Sequence, residues 1–510
     1  MPYPLTAPAF ETKMTSLAAT HHTVCKKTAF PNQTVSEGMG PTTYSFLEIG
    51  RGVDPNRVTA LAIAGMHARE WAQPDAVLSF AENLLSAYKS NNAFVIPAYT
   101  EGGKTFGPVS VQAPTIKAII NKLDILLVPL ANPDGRAFSQ SAKTDEKMLW
   151  RKNRAPRPPG GPPQSVGVDL NRNFDIAWDF DVYYNRAFLD THTLSASKDP
   201  ADFAFIGKPK PAPDQHHPRN EPEVKNLIWL LDNRPVTFNV DLHSALLKIM
   251  HPWGIERNGS NSAQTFQKTV FDGQRDGTLG DAYSEFFPNT PPARVLDKHD
   301  QIVKSMQGKI KAATGRTYRF GGIADTVYPA TGSFTDFAFS RQFIIASSPP
   351  QYAFAAEFGT PGPDGFQPHP TNSNGYPKIE REIHALLLAF FEAALAAVPP
   401  PVPVSPPPPA GTGTGSGTGS GGGLCSLALV ALELGVGSTS IDTLRCGRER
   451  LLVGRYTRAA MLALDRAYRR LSARSIPFLE RRRWARLAVA YGILVPTAML
   501  TDLALKWDLR

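Results

Sequence analysis

The 510-residue chain holds three cysteines, Cys25, Cys425 and Cys446, too few for a disulfide framework to carry the fold. It also lacks a long apolar run. Residues 487–501 are uncharged for 15 residues, but Pro496 interrupts them and Asp502 ends them, short of the roughly 20 apolar residues that span a bilayer. The opening residues, Met1-Pro2-Tyr3-Pro4-Leu5-Thr6, show no basic stretch followed by an apolar one, so a cytoplasmic location is the default expectation. Positive charge is scarce over most of the length. The formal net charge is +9, yet residues 424–510 carry 14 Arg and 1 Lys against 7 acidic residues, a surplus of +8. That leaves about +1 for the first 423 residues, which lack the electrostatic footprint of a nucleic-acid binder.

What is present is an ordinary globular composition, 42% apolar, in a chain long enough for more than one domain. Residues 1–40 read as polar and irregular. The stretches 43–49, 58–64, 123–130, 236–242 and 352–358 read as strands, and 71–90, 116–122, 221–233, 296–313 and 379–398 as helices. The Gly- and Pro-rich residues 91–114 read as a loop, and Asn132-Pro133-Asp134-Gly135 as a turn. Strands that alternate with helices, several of them continuously apolar, predict an α/β fold: a mixed, mostly parallel twisted sheet with helices on both faces. This domain is expected over residues 1–398. Residues 399–423 form a linker, Pro-rich and then Gly/Thr/Ser-rich. Residues 424–510 read as a small, Arg-rich, helical unit of unknown function, with a basic face suited to a membrane surface, a nucleic acid or a protein partner.

Chemistry-bearing residues gather at the ends of the apolar strands. The strand at 58–64 runs into Gly65-Met66-His67-Ala68-Arg69-Glu70. An imidazole and a carboxylate three residues apart can both bind one Zn²⁺ if a third ligand arrives and one position stays open for water. Alone, H-x-x-E is as easily a solvated turn. The strand at 236–242 delivers His243-Ser244, and the strand at 352–358 carries Glu357 in the apolar run Ala355-Ala356-Glu357-Phe358, where an unpaired carboxylate is costly. Between them lie Trp150-Arg151-Lys152-Asn153-Arg154, Asp169-Leu170-Asn171-Arg172-Asn173, and Tyr328 in a loop. His21, His22, His216, His217, His299 and His384 fall in exposed or helical segments, and His251 packs near the site without being a ligand.

The order H-x-x-E, N-P-D-G, W-R-K-x-R, D-x-N-R-N, strand-His-Ser, loop Tyr and strand-end Glu resembles the zinc carboxypeptidases of the carboxypeptidase A/B type, over roughly residues 10–398. The resemblance implies that His67, Glu70 and His243 hold one Zn²⁺, and that Asp169 fixes the tautomer of the first histidine. It implies Glu357 as general base and Arg154 as the cation that polarises the scissile carbonyl. Asn171, Arg172 and Tyr328 would hold the free C-terminal carboxylate of a peptide or protein substrate, with Arg69 and Arg151 in neighbouring subsites. Two imidazoles and one carboxylate with an open position suit Zn²⁺ best among the common divalent metals. Thr335 falls on the specificity-pocket position and favours neutral or apolar C-terminal residues, although a one-residue shift would put Asp336 there instead. Two other readings stay open: the same zinc machinery acting on cell-wall peptides or acylated amino acids, and a catalytically silent binding protein.

Overall fold

A computed structural model of the chain describes residues 3–50, 57–141, 145–191, 193–255, 269–275, 292–345, 348–359 and 375–398. The linker, the Arg-rich unit, Cys425 and Cys446 lie outside the described residues. The apolar runs become the strands of one eight-stranded sheet: β1 (Cys25–Ala29), β2 (Ser45–Ile49), β3 (Val58–Ala64), β4 (Leu123–Val128), β5 (Val236–Ser244), β6 (Lys248–His251), β7 (Arg319–Gly322) and β8 (Tyr352–Phe358). Their order across the sheet is β1-β2-β4-β3-β5-β8-β6-β7. The central strands β4, β3, β5 and β8 are mutually parallel. At one edge β1, β2 and β4 pair antiparallel, and at the other β6 runs antiparallel to β8 and parallel to β7.

Alternation along the strands divides the interior into two cores. Ala60, Ala62 and Ala64 of β3, Ile125 and Leu127 of β4, and Val240 and Leu242 of β5 face one layer of helices. That layer comprises α1 (Ala7–Thr20), α2 (Ala72–Ser90), α3 (Ala113–Lys122), α6 (Pro292–Thr314) and α8 (Tyr376–Ala396). Leu61, Ile63, Leu126 and Val128 face the other side, covered by α5 (Pro222–Asn233), α7 (Phe334–Ile344) and the loop around Phe174. Helix α4 (Pro133–Gln140) follows β4. Every residue of β3 and β4 is buried, which explains why both strands read as unbroken apolar runs. Each fully buried Leu, Ile or Val contributes about 1.5–3 kcal/mol, so the central strands are the most firmly held part of the sheet.

Several segments differ from the sequence reading, which gave no element for β6, β7 or α7. Residues 1–40 are not irregular, since α1 and β1 form there. Only Phe10, Met14 and Leu17 of α1 are buried, too thin an apolar stripe to stand out from its polar neighbours. The segment 91–114 holds two short two-stranded ribbons, Phe94–Ile96 with Val109–Val111 and Tyr99–Glu101 with Lys104–Phe106, followed by the start of α3. The Asn132 turn is the N-cap of α4, its side-chain oxygen accepting from Gly135 N at 2.9 Å. Helix α1 is tied down by a buried ion pair: Arg136 donates to Asp75 at 2.5 Å and to the Leu5 carbonyl at 2.8 Å, while Leu5 N donates to Asp75.

Candidate metal centre

The parallel strands β3, β5 and β8 end on the same edge of the sheet, where an open α/β sheet places its ligand site. Gly65 turns the chain out of β3 with φ +70°, and a Cβ there would stand 2.9 Å from Pro74 Cγ and 3.0 Å from Leu130 Cδ1. Glycine is what this turn admits. It throws His67 and Glu70 across the end of the sheet before α2 begins. Gln73 of α2 donates to the His243 carbonyl at 2.9 Å and pins that helix to β5.

His67, Glu70 and His243 are all buried and present one donor atom each within 4.8 Å of one another. Glu70 lies 2.7 Å from His67 Nδ1 through Oε1 and 3.0 Å from His243 Nδ1 through Oε2, and the two Nδ1 atoms are 3.1 Å apart. Donors bound to one tetrahedral Zn²⁺ at about 2.0–2.1 Å stand roughly 3.3–3.4 Å apart, so the three atoms need only spread slightly to accept it. Two Nδ1 atoms and a carboxylate converging on one point offer their lone pairs to a single shared cation. The donor set fits zinc.

The far side of each ring is held by a carboxylate. His243 Nε2 lies 2.6 Å from Asp241 Oδ2. His67 Nε2 lies 3.4 Å from Asp169 Oδ1, near enough for its charge to act but without a well-aligned hydrogen bond. Such partners leave Nδ1 free as a ligand and fix the ring. Asp241 was not among the residues singled out in the sequence, although its signal was there: on a strand, residues two apart share a face.

Burial alone would raise the Glu70 carboxyl, but the His67 and His243 charges outweigh it and hold Glu70 well below the usual carboxylate range. Burial likewise opposes ionisation of Asp169, and Arg151 followed by His67 reverses that. Glu357 behaves oppositely. Burial and then the negative Glu70 push its carboxyl up to about 7, and its Oε2 has no hydrogen-bond partner. In the strand register Glu357 of β8 stands directly beside His243 of β5. A carboxyl poised near neutrality beside the donor set is suited to moving a proton.

Arg151 and Arg154 sit in different surroundings. Arg151 lies against the metal turn, its carbonyl accepting from Ala68 N at 3.0 Å and its Nε donating to Asp169 at 2.8 Å. Asp169, Tyr328 and Glu70 all stabilise its charge. Arg154 faces elsewhere, with its guanidinium 3.7 Å over the Phe138 ring and 4.9 Å over Trp150, and with Glu37 and Arg157 as charged neighbours. A cation–π seat on two aromatics accounts for Arg154. The cation beside the donor set is therefore Arg151, while Arg154, equally buried, is held over Phe138 and Trp150.

Asn171 is wedged against the donor set, with Nδ2 3.2 Å from His243 Nε2 and Oδ1 accepting from Phe334 N at 2.8 Å. Arg172 is buried; it donates to the Ser195 carbonyl, to Ser195 Oγ at 2.9 Å and to the Asn171 carbonyl at 2.6 Å. Tyr328 is half-buried and lies within electrostatic reach of Arg69, Arg151 and Lys248. Arg69 is lowered to about 10 by burial and by Arg151, and donates to the Leu149 carbonyl at 3.4 Å. Thr335 and Asp336 are both buried in the first turn of α7. Asp336 accepts from Gly254 N at 2.9 Å and Ile255 N at 2.8 Å, and burial pushes it up to about 7, so it is committed to the backbone.

The chain is similar to known proteins over the domain that carries this site. The chain is 27% identical over 321 residues to carboxypeptidase A4 of Mus musculus, covering 63% of this chain and 55% of that one. It is 25% identical over 362 residues to carboxypeptidase A1 of Sus scrofa, covering 68% and 64%. The chain thus spans about half to two thirds of the length of the curated relatives it matches. Bovine thrombin-activatable fibrinolysis inhibitor, solved in complex with tick carboxypeptidase inhibitor, is similar in fold at TM-score 0.51 and 16% identity, over 77% of this chain and 97% of that one. The zinc carboxypeptidase family model matches residues 41–382, a stretch that contains all three metal donors, Glu357 and both arginines, and the chain belongs to that family.

Proposed function

We propose that the domain removes C-terminal residues from peptides by hydrolysis, with Glu357 as general base. The observation that carries the reading is the pairing of a three-donor metal cradle with an unpartnered, near-neutral carboxyl directly beside it in the strand register. A Zn²⁺ held by His67, Glu70 and His243 supplies, when bound, a Lewis acid and a water whose pKa falls from about 15.7 to near 7. Glu357 accepts the proton of the attacking water and returns it to the leaving amine. Arg151, always protonated and anchored by Asp169, faces the charge that develops on the carbonyl oxygen. Asn171 and Arg172 clamp the free carboxylate; three of the five guanidinium N–H groups of Arg172 are committed within the protein, which fixes the direction of the rest. Tyr328 closes over the clamp. Thr335 is assigned to the pocket for the terminal side chain, and with Asp336 turned onto Gly254 and Ile255 neither residue supplies a free anion there, which favours neutral or apolar C-terminal residues.

Blocked dipeptides with free or amidated C-termini, offered to the zinc-loaded protein with and without a chelator, test the reading. Cleavage should need both the free carboxylate and the metal. Chelator-insensitive cleavage, or equal cleavage of the amide, would sink it.

A further inference from the structure

The register of three strand pairs draws one line across the edge of the sheet. His243 of β5 is paired with Glu357 of β8, Glu357 with Lys248 of β6, and Lys248 with Arg319 of β7. Laterally paired residues project from the same face. Two cations therefore continue, strand by strand, the row that holds a metal donor and the base. Lys248 is half-buried and its ammonium donates to the Thr326 carbonyl. Among the described residues no carboxylate oxygen lies within 4 Å of it, so it is not neutralised by an ion pair. Arg319 is exposed and likewise has no ion-pair partner there. The carboxyl of its ladder neighbour Glu357 acts on the Lys248 charge, which keeps the ammonium on the row of the proposed base. Glu357 offsets part of its charge, and Arg319 adds to the local positive field.

Position along β6 says which part of a substrate meets this row. Asp336, next to Thr335 of the proposed terminal-residue pocket, accepts from Gly254 and Ile255, past the far end of β6. Lys248 is the first residue of that strand, and β6 spans about 10 Å at roughly 3.3 Å per residue. The cationic row therefore stands apart from the terminal pocket, beside the group that acts on the scissile bond.

We propose that Lys248, supported by Arg319, is a specificity residue that selects peptides with an acidic side chain, Asp or Glu, at the penultimate position. The inference rests on the carboxypeptidase reading for its assignment of subsites. An isosteric pair tests it: N-acylated dipeptides with Glu or Gln before a C-terminal Leu, and a third with Leu before a C-terminal Glu. The zinc-loaded protein should turn over the Glu-Leu peptide about fivefold better in kcat/KM than Gln-Leu at low salt, a preference that 0.5 M salt erases, as expected for partly exposed charges. Lys248→Met should bring the ratio to about one, Lys248→Glu should invert it, and Lys248→Arg should retain it. Arg319→Gln should reduce it by a smaller factor.

Calorimetric binding of the same peptides to the zinc-loaded Glu357→Gln protein gives a reading that does not need turnover. If no peptide is cleaved by the unaltered protein but Glu-Leu still binds tighter than Gln-Leu, the hydrolytic reading fails and the cationic row stands. Equal treatment of Glu-Leu and Gln-Leu in both assays overturns the row. A preference that survives Lys248→Met, or one that follows Glu at the terminal position, overturns it too.

Discussion

Glu70 and Glu223 are equally buried, each 1% exposed, and the fold treats them in opposite ways. Glu70 sits between two imidazoles that hold it ionised. Glu223, in the first turn of α5, shares the Asn153 amide with Glu221, each accepting at 3.2 Å, and its Oε1 has no partner. Burial and the neighbouring Glu221 push it up to about 8, so it is a neutral acid at physiological pH. Burial is common to both. The company differs, and company decides the charge. At the candidate metal centre Glu70 and Asp169 are held ionised by neighbouring cations, whereas at Glu357 burial and the Glu70 charge prevail.

The contrast can be broken most severely by removing the partners of Glu70. His243→Ala should abolish stoichiometric zinc binding, measured by elemental analysis, and lower kcat/KM by more than about 10⁴-fold, since the cradle and the electrostatic partner go together. Glu357→Gln should retain the metal and lose about 10³–10⁴ in kcat/KM; undiminished turnover would remove the base. Next in size are the two arginines. Arg151→Met should cost about 10²-fold in kcat, the usual effect of deleting one oxyanion donor, whereas Arg154→Met should cost less than about fivefold and act mainly on the melting temperature. Equal losses would restore the assignment that the sequence suggested.

The smallest effect concerns Glu223. Its folded pKa of about 8 exceeds the ordinary unfolded value near 4.3, so the native state binds the extra proton between them. The stability that this group contributes is full below about pH 4 and is lost as pH rises through 8. Glu223→Gln, isosteric with the neutral acid, should leave the melting temperature little changed near pH 5 and raise it by a few degrees near pH 8.5. A difference that shrinks as pH rises would refute the neutral form.

Much of this architecture was legible because the central strands are buried on both faces, and a strand that touches no water can be written only in apolar residues. His67, Glu70, His243 and Glu357 stand out because they interrupt or end such runs. Asp241 was hidden by the same pattern, lying inside a strand and readable only through its two-residue offset from His243. Arg151 and Arg154 carry identical side chains three residues apart in one loop, and only their surroundings in the fold tell which one lies beside the donor set. Helix α1 and the ribbons at 94–111 were missed because they bury few side chains each and are held by contacts distant in sequence, such as Asp75 with Leu5 and Lys378 with Glu101.

The pairing of His243 with Glu357 has a mechanical consequence. A candidate metal donor and the proposed base are neighbours on one hydrogen-bonded ladder, so their spacing is fixed by the repeat of the sheet and not by any loop. Sliding β8 against β5 would have to break the ladder along its whole length. Loops around this edge of the sheet can therefore lengthen, shorten or change sequence in descendants of this chain while the distance between His243 and Glu357 stays calibrated.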